Sequence, residues 1–112
     1  WEGFDLVQRS VGGLMDRALP ATEQAAIEAV LKRFHEQEGV VYHALRTRAA
    51  GAHRYATMHL LVPGAWTVQR GHNLSEQIER ELHAALDHLT VVTHIEPVED
   101  PASWDDAGLL EP

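Results

Sequence analysis

Four histidines and one glutamate in this chain occupy positions from which their side chains could hold a divalent metal ion together. His43 and His59 stand at equal distances from Gly51, in two runs rich in β-forming residues. If these runs form a hairpin centred on Gly51, the two imidazoles are direct cross-strand neighbours, whose Cβ atoms lie about 4.5–5.5 Å apart. Two imidazole rings at that separation are close enough to share one ion.

A third apolar run adds two further donors. His94 and Glu96 are two residues apart, so on a strand their side chains point to the same face. Imidazole and carboxylate ligands suit zinc and the neighbouring divalent first-row metals. His72, at the predicted start of the second helix, could act with His94, and Glu96 could bridge two ions through its two oxygens. The set predicts a site for one ion or for a pair of ions.

A single histidine in a strand is more often a half-buried residue than a metal ligand, because short motifs give many false matches. The predicted pairing of His43 with His59 favours metal binding over this alternative, because two adjacent imidazoles can bind one ion together. The remaining four histidines have no comparable partner, and we predict that they are solvated surface residues: His35, His53, His83 and His88.

Composition limits the classes of function. The chain has 112 residues, which indicates one domain, and it has no cysteine, which excludes disulfides and thiolate metal sites. Acidic residues outnumber basic ones 17 to 9, giving a net charge of -8. This balance argues against a nucleic-acid partner and against an anionic membrane surface, since both bind through Lys and Arg.

Two amphipathic helices are predicted from apolar spacing. The first starts near Pro20 or Thr22, has a stripe at helical spacing and ends at Glu38, where Gly39 is a typical stop signal. The second starts at Asn73, which forms a capping-box pattern with Glu76, after a linker over residues 66–72. The stripes are formed by Ala25, Ile27, Val30, Leu31 and Phe34 in the first helix, and by Leu74, Ile78, Leu82, Ala85 and Leu89 in the second.

Three strands are predicted, over residues 40–47, 55–62 and 90–96. Alternation in the first strand puts His43 on one face with Val41, Leu45 and Thr47. The element order predicts an α+β fold, αββαβ, in which a three-stranded mixed sheet carries two helices on one face. The other face is left open as a partner surface. Residues 21–97 are the predicted domain, residues 1–20 a connector from an upstream segment, and the acidic residues 98–112 a disordered tail.

Several segments together resemble one family. The segments are Leu14-Met-Asp-Arg-Ala-Leu-Pro20, Tyr42-His-Ala-Leu-Arg-Thr-Arg48, Met58-His-Leu60 and Thr93-His-Ile-Glu-Pro97. Together they are similar to the cytoplasmic C-terminal domain of cation diffusion facilitator transporters. The resemblance runs from about Trp1 to Pro97. No single segment is specific, but their combination is.

The resemblance implies more than the spacing does. Members of this family are proton-coupled exporters of zinc and related ions, and their C-terminal domain is a metallochaperone-like (ferredoxin-like) unit that forms a V-shaped homodimer beside the transmembrane domain. It implies a location on the cytoplasmic side of the cell membrane, with this fragment soluble, and it makes residues 1–20 the exit from the last membrane helix. It places Asp16 in a charge network below the membrane. It assigns metal binding to His43, His59, His72, His94 and Glu96, although the family often has Asp where this chain has the longer Glu96.

The function predicted from these observations is a cytosolic regulatory domain of a divalent-cation exporter, with zinc as the leading metal, which binds metal and dimerises to favour transport. A free-standing metal carrier and a dimerisation module that works without metal are the alternatives. An enzyme is not predicted, because the sequence shows no nucleophile motif and no second carboxylate placed as a general base beside the candidate ligands.

Overall fold

The computed structural model describes residues 18–105, which form two helices, three strands and one short 3-10 helix. In chain order these are α1 (Ala21–Glu38), β1 (Val41–Ala50), β2 (His53–Val62), α2 (Val68–Ala85), β3 (Leu89–Pro97) and the 3-10 helix Pro101–Trp104. The predicted αββαβ order is confirmed. Asp16 and most of the predicted connector lie outside the described residues. Within residues 18–105 no helix combines the length and the apolar character that crossing a bilayer requires.

Helix α1 forms where its apolar stripe predicts it. Pro20 is the N-cap, and its carbonyl accepts the backbone N–H groups of Glu23 and Gln24. Gly39 ends the helix in the left-handed conformation, with φ 75°, and donates its N–H to the carbonyl of His35. The stripe is buried at Ile27, Val30, Leu31 and Phe34.

The N-cap of helix α2 lies six residues before the predicted one. Thr67 is its N-cap, and the Thr67 hydroxyl accepts a hydrogen bond from the backbone N–H of Arg70 at 3.0 Å. The side chain of Asn73 instead accepts a hydrogen bond from Gln69 within the helix. The predicted linker over residues 66–72 and the capping box at Asn73 are therefore wrong, because Thr67, another residue that can cap a helix, stands upstream and is the one used.

The sheet is mixed, as predicted, with strand order β1-β2-β3. β1 pairs with β2 in antiparallel fashion, and β2 pairs with β3 in parallel through the α2 crossover. Both helices pack on one face of the sheet, and the side chains that meet there form one core. Its buried members include Ile27, Val30, Leu31, Phe34, Ala56, Met58, Leu60, Val62, Leu74, Ile78, Leu82 and Leu89. His59, which alternates with these β2 residues, consequently points to the opposite face.

A β-bulge in β1 changes the predicted assignment of its faces. The hairpin closes with Ala50 opposite His53, yet further along the ladder His43 lies opposite His59, and the register shifts between His43 and Arg46. Ala44 adopts a positive φ of 54° at the shift. Simple alternation predicted that Thr47 shares a face with His43. Beyond the bulge, however, Thr47 pairs with buried Ala56 and therefore lies on the opposite face.

The described part of the acidic tail is folded, in contrast to the disorder that its composition predicts. Val98 donates its N–H to the carbonyl of Val62, and Asp100 caps the 3-10 helix by accepting the N–H of Ala102. Ser103 is 2% exposed, and the Trp104 ring lies against that of His43. Local capping and one large aromatic side chain thus order residues 98–105; residues 106–112 lie outside the described part.

Candidate metal centre

Three of the predicted ligands converge on the sheet face that the helices leave uncovered. His59 on β2 is the parallel-ladder partner of His94 on β3, and Glu96 follows His94 by two residues on the same face. Each of these side chains has one atom that can bind a metal, and these three atoms all lie within 4.8 Å of one another. Within residues 18–105, these three residues are the cluster of His, Cys, Asp or Glu side chains whose spacing could hold a metal ion.

His59 and Glu96 are already in contact. Nδ1 of His59 lies 2.7 Å from Oε2 of Glu96, and the two side chains are 10% and 28% exposed. An ionised carboxylate can only accept a hydrogen bond, so Nδ1 carries the hydrogen and donates the hydrogen bond to Glu96. That tautomer leaves Nε2 with a lone pair, and a histidine held by a carboxylate in this way is a common arrangement in metal sites.

His94 opens the group to solvent. Its ring lies 5.1 Å from that of His59, measured between centroids, with an angle of 35° between the ring planes. His94 is exposed, whereas His59 is buried. One ligand is therefore fixed within the protein and one is accessible, so an ion can reach the group from solvent.

His43 is next to this group but is not one of its three members. It lies directly opposite His59 in the β1–β2 register, as predicted from the symmetry about Gly51. Its ring packs against the indole of Trp104, with centroids 5.6 Å apart and planes at 59°. Sequence reasoning missed Trp104, because composition placed it in a tail that was expected to be disordered.

His72 lies away from the group. It stands inside α2 rather than just before it, is 59% exposed in its side chain, and has Nε2 3.1 Å from Oε1 of Glu76, one helical turn on. Since α2 packs on the opposite face of the sheet, His72 does not meet His59, His94 and Glu96 within one copy of the chain.

The other histidines have different surroundings. His83 and His88 are exposed, as predicted for surface residues. His35 is exposed too, and its Nδ1 lies 2.8 Å from the carbonyl oxygen of Val40. His53 is only partly exposed, with Nε2 2.7 Å from the hydroxyl of Thr90 across the sheet. His35 and His53 therefore have local structural roles that periodicity did not predict.

The chemistry of the donor set suits a borderline divalent ion. Two imidazole nitrogens and one carboxylate oxygen are ligands that zinc accepts, and zinc takes about four ligands in all. Three protein ligands leave at least one position, which solvent or a further side chain can fill. The residues present are thus compatible with the predicted zinc or other first-row divalent cation.

Comparison with known proteins identifies the family. The family described as the cytoplasmic domain of cation efflux proteins matches residues 19–98. A relative from Synechocystis, described as an uncharacterized transporter, is 43% identical over 104 residues, which cover 93% of this chain and 33% of that protein. The cation-efflux pump FieF of Pectobacterium atrosepticum is 33% identical over 96 residues, which cover 86% of this chain and 30% of the pump. The chain thus spans about a third of the length of these curated relatives, which are described as a transporter and a cation-efflux pump.

Solved structures agree with this result. The zinc form of CzrB, described as a candidate zinc transporter, is 35% identical and superposes with a TM-score of 0.67, covering 74% of this chain and 93% of that one. The metal-bound C-terminal domain of the CzcD transporter from Thermotoga maritima is 28% identical, with a TM-score of 0.65, covering 74% of this chain and 99% of that one.

Proposed function

The chain belongs to the family of cytoplasmic domains of cation efflux proteins, and we propose that it is the cytosolic regulatory domain of a divalent-cation exporter that binds zinc. The observation that carries the proposal is the convergence of His59, His94 and Glu96, whose donor atoms lie within 4.8 Å of one another. The zinc form of CzrB and the metal-bound domain of CzcD, which share the fold, support zinc as the bound metal.

The proposed ligands have distinct roles. Glu96 orients the His59 imidazole through the 2.7 Å contact and contributes negative charge beside it. His94 is the accessible ligand that an ion meets first. His43, next to His59 in the strand register, is the candidate for a fourth ligand within the chain. His72, which is exposed and lies on α2, is available only to a site that spans two copies.

The proposed regulation is electrostatic. The chain carries a net charge of -8, so two copies repel each other at short range. A bound divalent cation supplies positive charge on the open sheet face and joins side chains that otherwise stay apart. The resulting preference for a compact homodimer would bias the attached transmembrane domain by about 1–3 kcal/mol, the usual size of an allosteric coupling. The proposed function puts the domain on the cytoplasmic side of the membrane that holds the transporter, in keeping with the description of the family.

Zinc titration of the 112-residue chain by calorimetry tests the proposal. We expect saturable binding that is lost when His59 and His94 are both replaced by Ala. His83→Ala is the matched control, because His83 is an exposed histidine in the last turn of α2 and lies outside the site. Binding that survives the double replacement would contradict the site assignment.

Light scattering with and without zinc separates this function from the alternatives. The proposal predicts a rise in mass or a fall in radius when zinc is added, and no such change in the double variant. A dimerisation module that works without metal predicts the same mass in both conditions. A free-standing metal carrier predicts zinc binding by a chain that stays monomeric.

A further inference from the structure

The residues that follow β3 form a short folded segment that reaches β1 at His43; we name residues 98–105 the tail segment. It starts at Val98, whose N–H bonds to the carbonyl of Val62 on β2 at 2.8 Å. Glu99 then accepts the N–H of Gly64 at 2.9 Å. The segment turns through the 3-10 helix Pro101–Trp104 and ends against β1. The match to the family model ends at residue 98, where this segment begins.

Trp104 is the point at which the tail segment contacts the candidate metal centre. Its indole ring lies 5.6 Å from the imidazole of His43, and its Nε1 donates a hydrogen bond to the carbonyl of Val98 at 2.9 Å. That second contact folds the segment back on itself and fixes the indole in place. Nε2 of His43, a nitrogen that could ligate a metal, is closed off from solvent.

The contact divides the predicted ligands into two groups. His59, His94 and Glu96 have donor atoms close together, whereas His43, which is next to His59 in the strand register, is packed with Trp104. For His43 to become a ligand, its ring must be able to turn towards His59. The indole beside it, which is itself 44% exposed, opposes that motion because the aromatic contact would be lost.

We propose, on the basis of the function proposed above, that Trp104 is a positioning residue that decides whether His43 joins the metal site. With the tail segment in place the chain offers three ligands, His59, His94 and Glu96. When Trp104 moves away, His43 becomes the fourth ligand and the site gains a third imidazole. Trp104 therefore sets the coordination number, and with it the preference for metals that favour nitrogen-rich tetrahedral sites, such as zinc, over those that retain water and oxygen ligands.

A double-mutant cycle in the 112-residue chain tests the proposal. Trp104→Ala is combined with wild-type His43 and with His43→Ala, and zinc affinity is measured by competition with a chromophoric chelator. We expect Trp104→Ala to raise zinc affinity about fivefold or more, the lower end of usual coupling effects. That gain should be absent when His43 is replaced. Trp104→Phe keeps an aromatic ring at this position and should restore the wild-type affinity.

Cobalt gives a signature that a merely structural role of Trp104 would not produce. The visible absorption of bound Co²⁺ intensifies as its coordination becomes tetrahedral, so we expect a stronger band in Trp104→Ala than in the wild type. An unchanged or lower zinc affinity in Trp104→Ala, or a gain that persists in the His43→Ala background, would overturn the proposal.

A measurement on the unmutated chain covers the case in which Trp104→Ala does not fold. Nitrogen-15 NMR of chain labelled at histidine, with the His43 resonances assigned from His43→Ala, should show that zinc binds the rings of His59 and His94 but not that of His43, because the tail segment is in place. A His43 ring that binds zinc in the unmutated chain would overturn the inference while leaving the proposed function intact. A wild-type chain that binds no zinc would instead overturn the proposed function itself.

Discussion

The imidazole of His59 and the carboxylate of Glu96 are joined between two parallel strands by an Nδ1–Oε2 contact of 2.7 Å. Glu96 is not the ladder partner of His59, since that partner is His94, two residues earlier on the same face of β3. The glutamate side chain must therefore lean along the strand to reach the ring. This contact orients the His59 ring in the absence of an ion, and in the proposed metal site it would hold one ligand in place.

Replacing Glu96 tests this contact. Glu96→Gln keeps the length of the side chain but removes its charge and weakens its hold on the His59 ring. Zinc affinity should fall about 10- to 100-fold, the usual effect of losing a group that orients or supports a ligand. Calorimetric titration at neutral pH measures the change. Glu36→Gln, at an exposed position on α1, is the control, and an unchanged affinity in Glu96→Gln would contradict the role given to this carboxylate.

The bulge in β1 makes a prediction about stability. Ala44 adopts a φ of 54°, a conformation that costs an L-residue about 1–2 kcal/mol and glycine much less. Ala44→Gly should therefore raise the free energy of unfolding by up to about 1 kcal/mol, while Ala44→Val should lower it. Ala49→Gly, in the regular part of the same strand, should be destabilising by about 0.5–1 kcal/mol. Urea unfolding compares the three variants, and a loss of stability in Ala44→Gly would contradict the bulge.

The pair formed by Glu23 and Arg54 predicts a dependence of stability on pH. Two guanidinium nitrogens of Arg54 lie 2.7 and 3.1 Å from the carboxylate oxygens of Glu23, joining α1 to β2. The hydrogen bond from Arg54 lowers the pKa of Glu23, with a smaller Coulombic contribution, while burial acts in the opposite direction. A lowered folded-state pKa gives stability that is complete above the unfolded pKa and is lost as pH falls through the folded value.

Glu23→Gln should consequently be less stable than the wild type at neutral pH, and the difference should shrink as the solution is acidified below the ordinary glutamate range. Urea unfolding at a series of pH values, with a chelator present to remove metal, measures both chains. Glu28→Gln, exposed on the same helix, should follow the wild type throughout. A difference between wild type and Glu23→Gln that does not vary with pH would contradict the assigned pKa shift.

Ile78 tests whether the helices and the sheet share one core. It is fully buried on α2 within the cluster that includes β2 residues. Ile78→Ala should cost about 2–5 kcal/mol, because it removes buried apolar atoms and leaves a cavity. Val68→Ala, near the start of the same helix, should change stability by less than about 0.5 kcal/mol, since Val68 is 90% exposed. Chemical denaturation of both variants measures the contrast.

The sequence by itself determined the element order, the mixed sheet and the family. Apolar periodicity is a local property, so α1 and all three strands were predictable, and Gly39 marked the end of α1 because it adopts the left-handed conformation there. The His94–Glu96 pair was also predictable, since residues two apart on a strand share a face. Helix α2 was predicted to start too late because Thr67 and Asn73 are both good capping residues, and local pattern did not rank them.

Only the tertiary structure decided which of the predicted ligands meet. The distance between His59 and His94 depends on the register of two strands joined by a long crossover, which no local pattern fixes. The symmetry about Gly51 predicted the His43–His59 pair, but that pair exists because a bulge at Ala44 offsets the register set by the hairpin turn.

The positions of His72 and Trp104 were not predictable either. Helix α2 holds His72 away from the group, and a tail segment whose composition predicts disorder brings Trp104 to His43. Contacts between residues far apart in the chain depend on how whole elements pack, and that packing is settled by the complete fold rather than by any one segment.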